Sequence, residues 1–166
     1  MKLDPATTAA FTGRRTYRDE AACKIDLAVE QLYGEGIATF LCGMAMGFDM
    51  AAAESVIRMR SLLTSNNIRL IAIIPFRGQQ TRFPAAERMR YERILSESDE
   101  VIILSERYIP ESYSRRNDFL VDNASVLVAW YDGIHSGGTH YTVTRARRLA
   151  RRIINLRPSE QLEMEF

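Results

Sequence analysis

Residues 42–54 read CGMAMGFDMAAAE, directly after the apolar run IATFLC at 37–42. A β-branched, apolar strand pattern thus breaks at glycine and passes at once into small residues with helical spacing. Gly43, Met44, Ala45 and Gly47 form the turn. Such a strand-to-helix turn aims uncapped helix amides, and the positive end of the helix dipole, at an anion. The loop is not GxGxxG, and no Gly-Lys-Ser/Thr follows to make a Walker A loop. Asp49 has two readings that the pattern leaves open. It is a first-turn acid or cap of the helix, or it hydrogen-bonds ribose hydroxyls of a ligand.

Outward from this loop the same alternation repeats. Strand-like runs stand at 8–12, 37–42, 68–75, 100–105, 124–130 and 152–156, mostly without polar alternation, as in parallel strands buried on both faces. Helical spacing fills 19–33, 49–63, 85–97, 113–122 and 139–150. Leu27 is expected on the apolar side of the first helix and Met89 on that of the third, and Gly34 reads as the first helix's C-cap. The fold class is α/β: a Rossmann-like, doubly wound, mainly parallel sheet of about six strands with helices on both faces. Ligands bind such sheets beyond the carboxyl ends of the strands, where strand order reverses.

The remaining loops at that end carry unusual residues. FTGRR at 11–15 sets Gly13 beside Arg14 and Arg15, a turn with forked donors for phosphate. In PFRGQ at 75–79, Phe76 is either a stacking surface for a base or a plug of the core, and Arg77 a phosphate contact or a surface charge. In YSRRND at 113–118, Arg116 and Asn117 open a helix on the ligand side. DGIHSGGTHYT at 132–142 places Gly137, Gly138 and Thr139 at a second anion-ready helix start, with Thr142 one turn on. Two such loops in a small chain point to a phosphate-bearing ligand. His135 and His140 lack a third partner at metal spacing, so no zinc site is expected.

Composition sets the outer limits. The 166 residues make one domain, 1–166, with 158–166 a polar tail expected to fray. Net charge is +1, from 22 basic and 21 acidic residues, which disfavours a domain built mainly to hold nucleic acid. The arginines at 145, 147, 148, 151 and 152 read as a solvated or salt-bridged helix face. Cys23 and Cys42 make neither a disulfide framework nor a metal motif. No run approaches the roughly 20 apolar residues of a membrane helix, and the start, MKLDPATTAA, does not read as a signal peptide. A cytoplasmic protein without membrane contact is expected.

FTGRR, CGMAMGFDMAAAE, GGTHYT and RRNDFLVDNASVLVAWYDG, in this order, resemble the SLOG superfamily of Rossmann-like proteins, and more narrowly its YpsA-like branch. The resemblance covers about residues 8–152. It implies a nucleotide-derived ligand, NAD-like or ADP-ribose-like, and a homodimer. It also places Gly43, Ala45, Gly47 and Asp49 on a motif shared with the DprA/Smf proteins of DNA uptake. Those proteins usually carry a His shortly after the Asp, where this chain has Ala53. The related lonely-guy phosphoribohydrolases have PGGxGTxxE, whose Glu is thought to assist glycosidic cleavage. Here Thr139 matches the Thr, and the Glu position is Thr142, which cannot act as a carboxylate.

The expected function is therefore binding or sensing of a nucleotide or nucleotide-derived small molecule, without an assigned catalytic residue. Gly13, Arg14, Arg15, Gly43, Met44, Ala45, Gly47, Asp49, Phe76, Arg116, Asn117, Gly137, Gly138, Thr139 and Thr142 are the candidate ligand residues. An N-glycosidic hydrolase using Asp49 or Glu54 as acid is the alternative; Asp132 is a further candidate substitute, and nothing in the sequence places these carboxylates around one bond. A DprA-like nucleic-acid-binding or scaffold domain is the second alternative.

Overall fold

The computed structural model describes residues 2–157. It contains β1 (Thr8–Gly13), α1 (Ala22–Gly34), β2 (Thr39–Cys42), α2 (Phe48–Leu62), β3 (Arg69–Ile74) and α3 (Ala85–Glu97). There follow β4 (Glu100–Ile103), α4 (Ser112–Asp122), β5 (Val126–Trp130), α5 (Gly137–Arg148) and β6 (Arg152–Asn155). The expected tail at 158–166 lies outside the described residues.

All six strands are parallel, in the order β4-β3-β2-β1-β5-β6. The chain winds outward from β1 to β4, then returns to the other side of β1. Loops after β1 and β5 therefore leave toward opposite faces, and a crevice opens between them. Pleating explains the two cores. Phe11, Phe40, Cys42, Ala72, Ile74 and Val128 pack with residues of α1, α2 and α3. Their strand neighbours Ala10, Leu41, Ile71, Ile73 and Ala129 pack with α4 and α5. The central strands are buried on both faces, so their sequence lacks alternation.

Two helix expectations are corrected. Leu27 is 62% exposed and Met89 is 73% exposed. The buried stripe of α1 is Ile25, Ala28, Val29 and Leu32, and that of α3 is Tyr91 and Ile94. Leu27 and Met89 each stand two positions from a stripe residue, about 200° around the helix. The C-cap of α1 is Glu35, and the left-handed residue is Gly36 (φ +100°), so Gly34 is an ordinary last helical residue. The helix also begins at Ala22 rather than 19, because Asp19 holds a positive φ of 62°.

Gly47 fixes the geometry at the site. It holds φ +84° at the start of α2, and a Cβ there would lie 2.7 Å from the Arg15 carbonyl oxygen and 2.8 Å from that of Arg14. The β1–α1 loop thus rests on the backbone of the β2–α2 turn, and the Phe48 amide donates to the Arg14 carbonyl. No helix of the described residues is long and apolar enough to cross a membrane.

Candidate functional site

The crevice is a cleft of about 450 Å³ at the carboxyl ends of β1, β2 and β5. Small-molecule sites commonly have roughly 300–1,000 Å³. Chain from Thr12 to Thr16, then Ala45 and Asp49, then Tyr113, Arg116 and Asn117, then Gly138 and Thr139 contribute to its lining. Four separate segments of the sequence therefore meet at one place.

Asp49 is the acid of this cleft. It sits in the first turn of α2 and is 5% exposed. Its Oδ2 accepts from the Ala45 amide at 3.2 Å, while Oδ1 is buried without a hydrogen-bond partner. Burial pushes its carboxyl up to about 6, against the opposing pull of Arg116, the Ala45 amide and Arg15. Native proteins leave few buried polar atoms unpaired, so Oδ1 is the polar atom of this cleft wall that is open to a donor.

Arg116 is the buried cation. Its Nε donates to Asn117 Oδ1 at 2.8 Å and its Nη1 to the Gly43 carbonyl at 2.5 Å. Burial lowers its pKa, and Asp49 works in the other direction. Gly43 is required by this side chain, because a Cβ there would stand 2.8 Å from Arg116 Cδ and Nη1. The Tyr113 ring carries the Arg116 guanidinium at 5.7 Å and that of Arg15 at 6.0 Å.

Arg14 is engaged elsewhere. It donates to the carbonyls of Ser136 (2.7 Å) and Ile134 (2.9 Å) and pairs with Asp132 (3.0 Å), bracing the β5–α5 loop. Its Nε remains buried without a partner. Gly137 (φ +85°) borders this brace, since a Cβ would meet Arg14 Nη1 at 2.7 Å. The start of α5 has no side-chain cap: Ser136 at the N-cap position makes no such bond. Gly138 and Thr139, its first residues beyond Gly137, lie in the cleft lining. Uncapped amides and the helix dipole make this an anion-seeking wall.

Most of the other candidate residues lie outside the lining. Met44 is wholly buried in the core at φ 62°. Gly13 is in the lining, but a Cβ there would also overlap Phe48 at 2.4 Å. Phe76 packs edge-on to Tyr108 (5.4 Å) and Tyr113 (5.8 Å), behind the cleft rather than in it. Arg77 pairs with Glu106 at the surface. The Thr142 hydroxyl donates to the Gly138 carbonyl at 2.7 Å within α5. Glu54 is held by Arg90 and by Arg93 (3.3 Å) in a groove between α2 and α3, so it is not brought to the cleft.

Tyr113 and Thr16 are site residues that the sequence reading missed. Tyr113 had a signal: an aromatic residue in the first turn of a helix whose start faces the ligand end of the sheet. His135 and His140 stack at 4.9 Å, and the Tyr131 hydroxyl lies 2.6 Å from His140 Nδ1. Among the described residues, no group of three or more His, Cys, Asp or Glu could hold a metal ion.

Comparisons with known proteins agree with the fold. The YspA SLOG family pattern matches residues 21–159. The uncharacterized SPbeta prophage-derived protein YoqJ of Bacillus subtilis is 28% identical over 141 residues, 76% of this chain and 81% of its own. A UPF0398 protein of Halalkalibacterium halodurans is 29% identical over 119 residues. That match covers 70% of this chain and 62% of the relative, so the chain spans less than two thirds of it. DNA processing protein A of Streptococcus pneumoniae shares the fold with a TM-score of 0.63 at 19% identity. The superposition covers 88% of this chain and 48% of that one. The Helicobacter pylori protein of the same name, described for its single-stranded DNA binding mode, gives 0.62 at 16% identity. It is covered over 64% of its length, and this chain over 90%.

Proposed function

The chain belongs to the YspA SLOG family, and from that membership and the cleft we propose that it binds a phosphate-bearing, nucleotide-derived ligand at the β1/β5 crevice. The observation that carries this reading is the meeting of an uncapped helix start, Gly138–Thr139 of α5, with the guanidinium groups of Arg15 and Arg116 around one cleft. A phosphate satisfies the amides and the cations together. An NAD-like or ADP-ribose-like molecule has both the phosphates and the sugar that the cleft's mixed polarity suits. The reading is one of binding and sensing. Asp49 is the only carboxylate in the lining, and an N-glycosidase of the paired-carboxylate kind needs a second.

A melting series tests it. ADP-ribose, NAD or ADP at 100 times the dissociation constant stabilises the fold by about 2.7 kcal/mol, while free ribose and free adenine do not. No shift across a broad nucleotide panel at millimolar concentration contradicts the reading. A homodimer belongs to the same proposal through the family resemblance, and light scattering at twice the chain mass is its test.

A nucleic-acid role has one observation in its favour, the fold shared with the DNA processing proteins. Of the basic run, Arg145 pairs with Asp118 and Asp122, Arg151 donates to the carbonyls of Val121 and Asp122, and Arg152 pairs with Glu35. Most of that run is therefore engaged within the chain.

A further inference from the structure

Asp49 and Arg116 are opposite charges buried in the wall of one cleft, 5% and 6% exposed. They attract one another, yet among the ion pairs of the described residues theirs does not occur. Asp49 Oδ1 accepts nothing. Arg116 uses Nε and Nη1 on Asn117 and Gly43. A group placed between them has to donate to the carboxylate and accept from the guanidinium. A fully ionised phosphate cannot donate, and an ammonium cannot accept. A sugar hydroxyl does both, as a water does when no ligand is there.

We propose that a ribose hydroxyl of the ligand donates to the unpaired Asp49 Oδ1 in the wall it shares with Arg116, so that the cleft selects ribonucleotides over their deoxy counterparts. This rests on the nucleotide reading of the cleft and narrows it to a substrate class. Without the hydroxyl, Asp49 stays buried and unpaired in the complex, now further removed from water. Sites built to hydrogen-bond a hydroxyl reject analogues that lack it far more strongly than apolar pockets reject a missing methylene. The same logic excludes the internal nucleotides of single-stranded DNA from this cleft, because their sugars lack the 2′-hydroxyl and their 3′-oxygens are esterified.

Calorimetric titration of the full chain with ADP, 2′-deoxy-ADP and 3′-deoxy-ADP tests the proposal at pH 7.5. ADP is expected to bind at least tenfold tighter than 2′-deoxy-ADP, and the 3′-deoxy form shows whether the neighbouring hydroxyl contributes. In Asp49→Ala the ratio is expected to fall toward one, chiefly through weaker ADP binding. Asp49→Asn, whose amide oxygen still accepts, keeps part of the ratio and provides a second variant should Asp49→Ala fold poorly. A single-stranded oligodeoxynucleotide is expected not to displace bound ADP. Equal affinity of wild type for ADP and 2′-deoxy-ADP, a ratio unchanged in both variants, or displacement by the oligodeoxynucleotide overturns the inference and leaves the nucleotide reading standing. Absence of ADP binding together with absence of any nucleotide-induced melting shift overturns both; absence of ADP binding alone overturns only the inference.

Discussion

Asp49 makes the stability of the fold depend on pH. A carboxyl moved from 3.8 to about 6 by burial is bound to its proton more tightly in the folded than in the unfolded chain. Its contribution is fully favourable below about pH 3.8 and is lost as pH rises through about 6. The loss amounts to about 3 kcal/mol. Asp49→Asn is therefore expected to gain about that much relative to wild type between pH 4 and pH 8, read from denaturant melts at several pH values. A constant difference between the two proteins across that range contradicts the assignment. Gly43→Ala makes the complementary point. Its Cβ displaces Arg116, and overpacking of this kind costs roughly 1–3 kcal/mol. Nucleotide affinity is expected to fall with the displaced cation; unchanged affinity would remove Arg116 from the site. At this scale Asp49, Arg116 and Gly138 were legible from their places after strands. Met44 and Gly47 were not: Gly47 accommodates the carbonyls of Arg14 and Arg15, a contact between loops 32 residues apart that no local pattern records.

The start of α5 decides whether the glycine loops are more than turns. Gly138 has an ordinary φ, and a Cβ there would lie 3.4 Å from Asn117 Nδ2, so a larger side chain enters the cleft lining without backbone strain. Gly138→Val is expected to remain cooperatively folded and to lose nucleotide affinity at least tenfold. Gly34→Val, in open space at the end of α1, is expected to melt within about 1 kcal/mol of wild type and to bind normally. If the two variants lose stability in step, and binding only in proportion, the anion role of Gly138 and Thr139 is wrong. Element types were legible here because caps, glycine turns and β-branched runs are local. Faces were less so. Apolar residues outnumbered the buried stripe in α1 and α3, and which side turns inward is set by the sheet, leaving Leu27 and Met89 outside.

For the molecule as a whole, the strand order β4-β3-β2-β1-β5-β6 brings loops from 13–16, 43–49, 113–117 and 137–139 to one crevice. The alternation of elements implied parallel strands and ligands at their carboxyl ends. It did not imply that β5 lies beside β1, which follows from long-range pairing such as Phe11 with Val128. With a net charge of +1, affinity for single-stranded DNA is expected to be weak and to fall steeply with salt. Tight binding at physiological salt, lost in Arg147→Ala with Arg148→Ala, would favour the nucleic-acid reading. The most direct test of the central claim is a backbone amide chemical-shift titration with ADP-ribose. The largest perturbations are expected at Thr12–Thr16, Ala45, Asp49 and Gly138–Thr139, saturating together. Saturable shifts centred instead on Arg147 and Arg148, or none at millimolar ligand, would contradict a nucleotide site at the β1/β5 crevice.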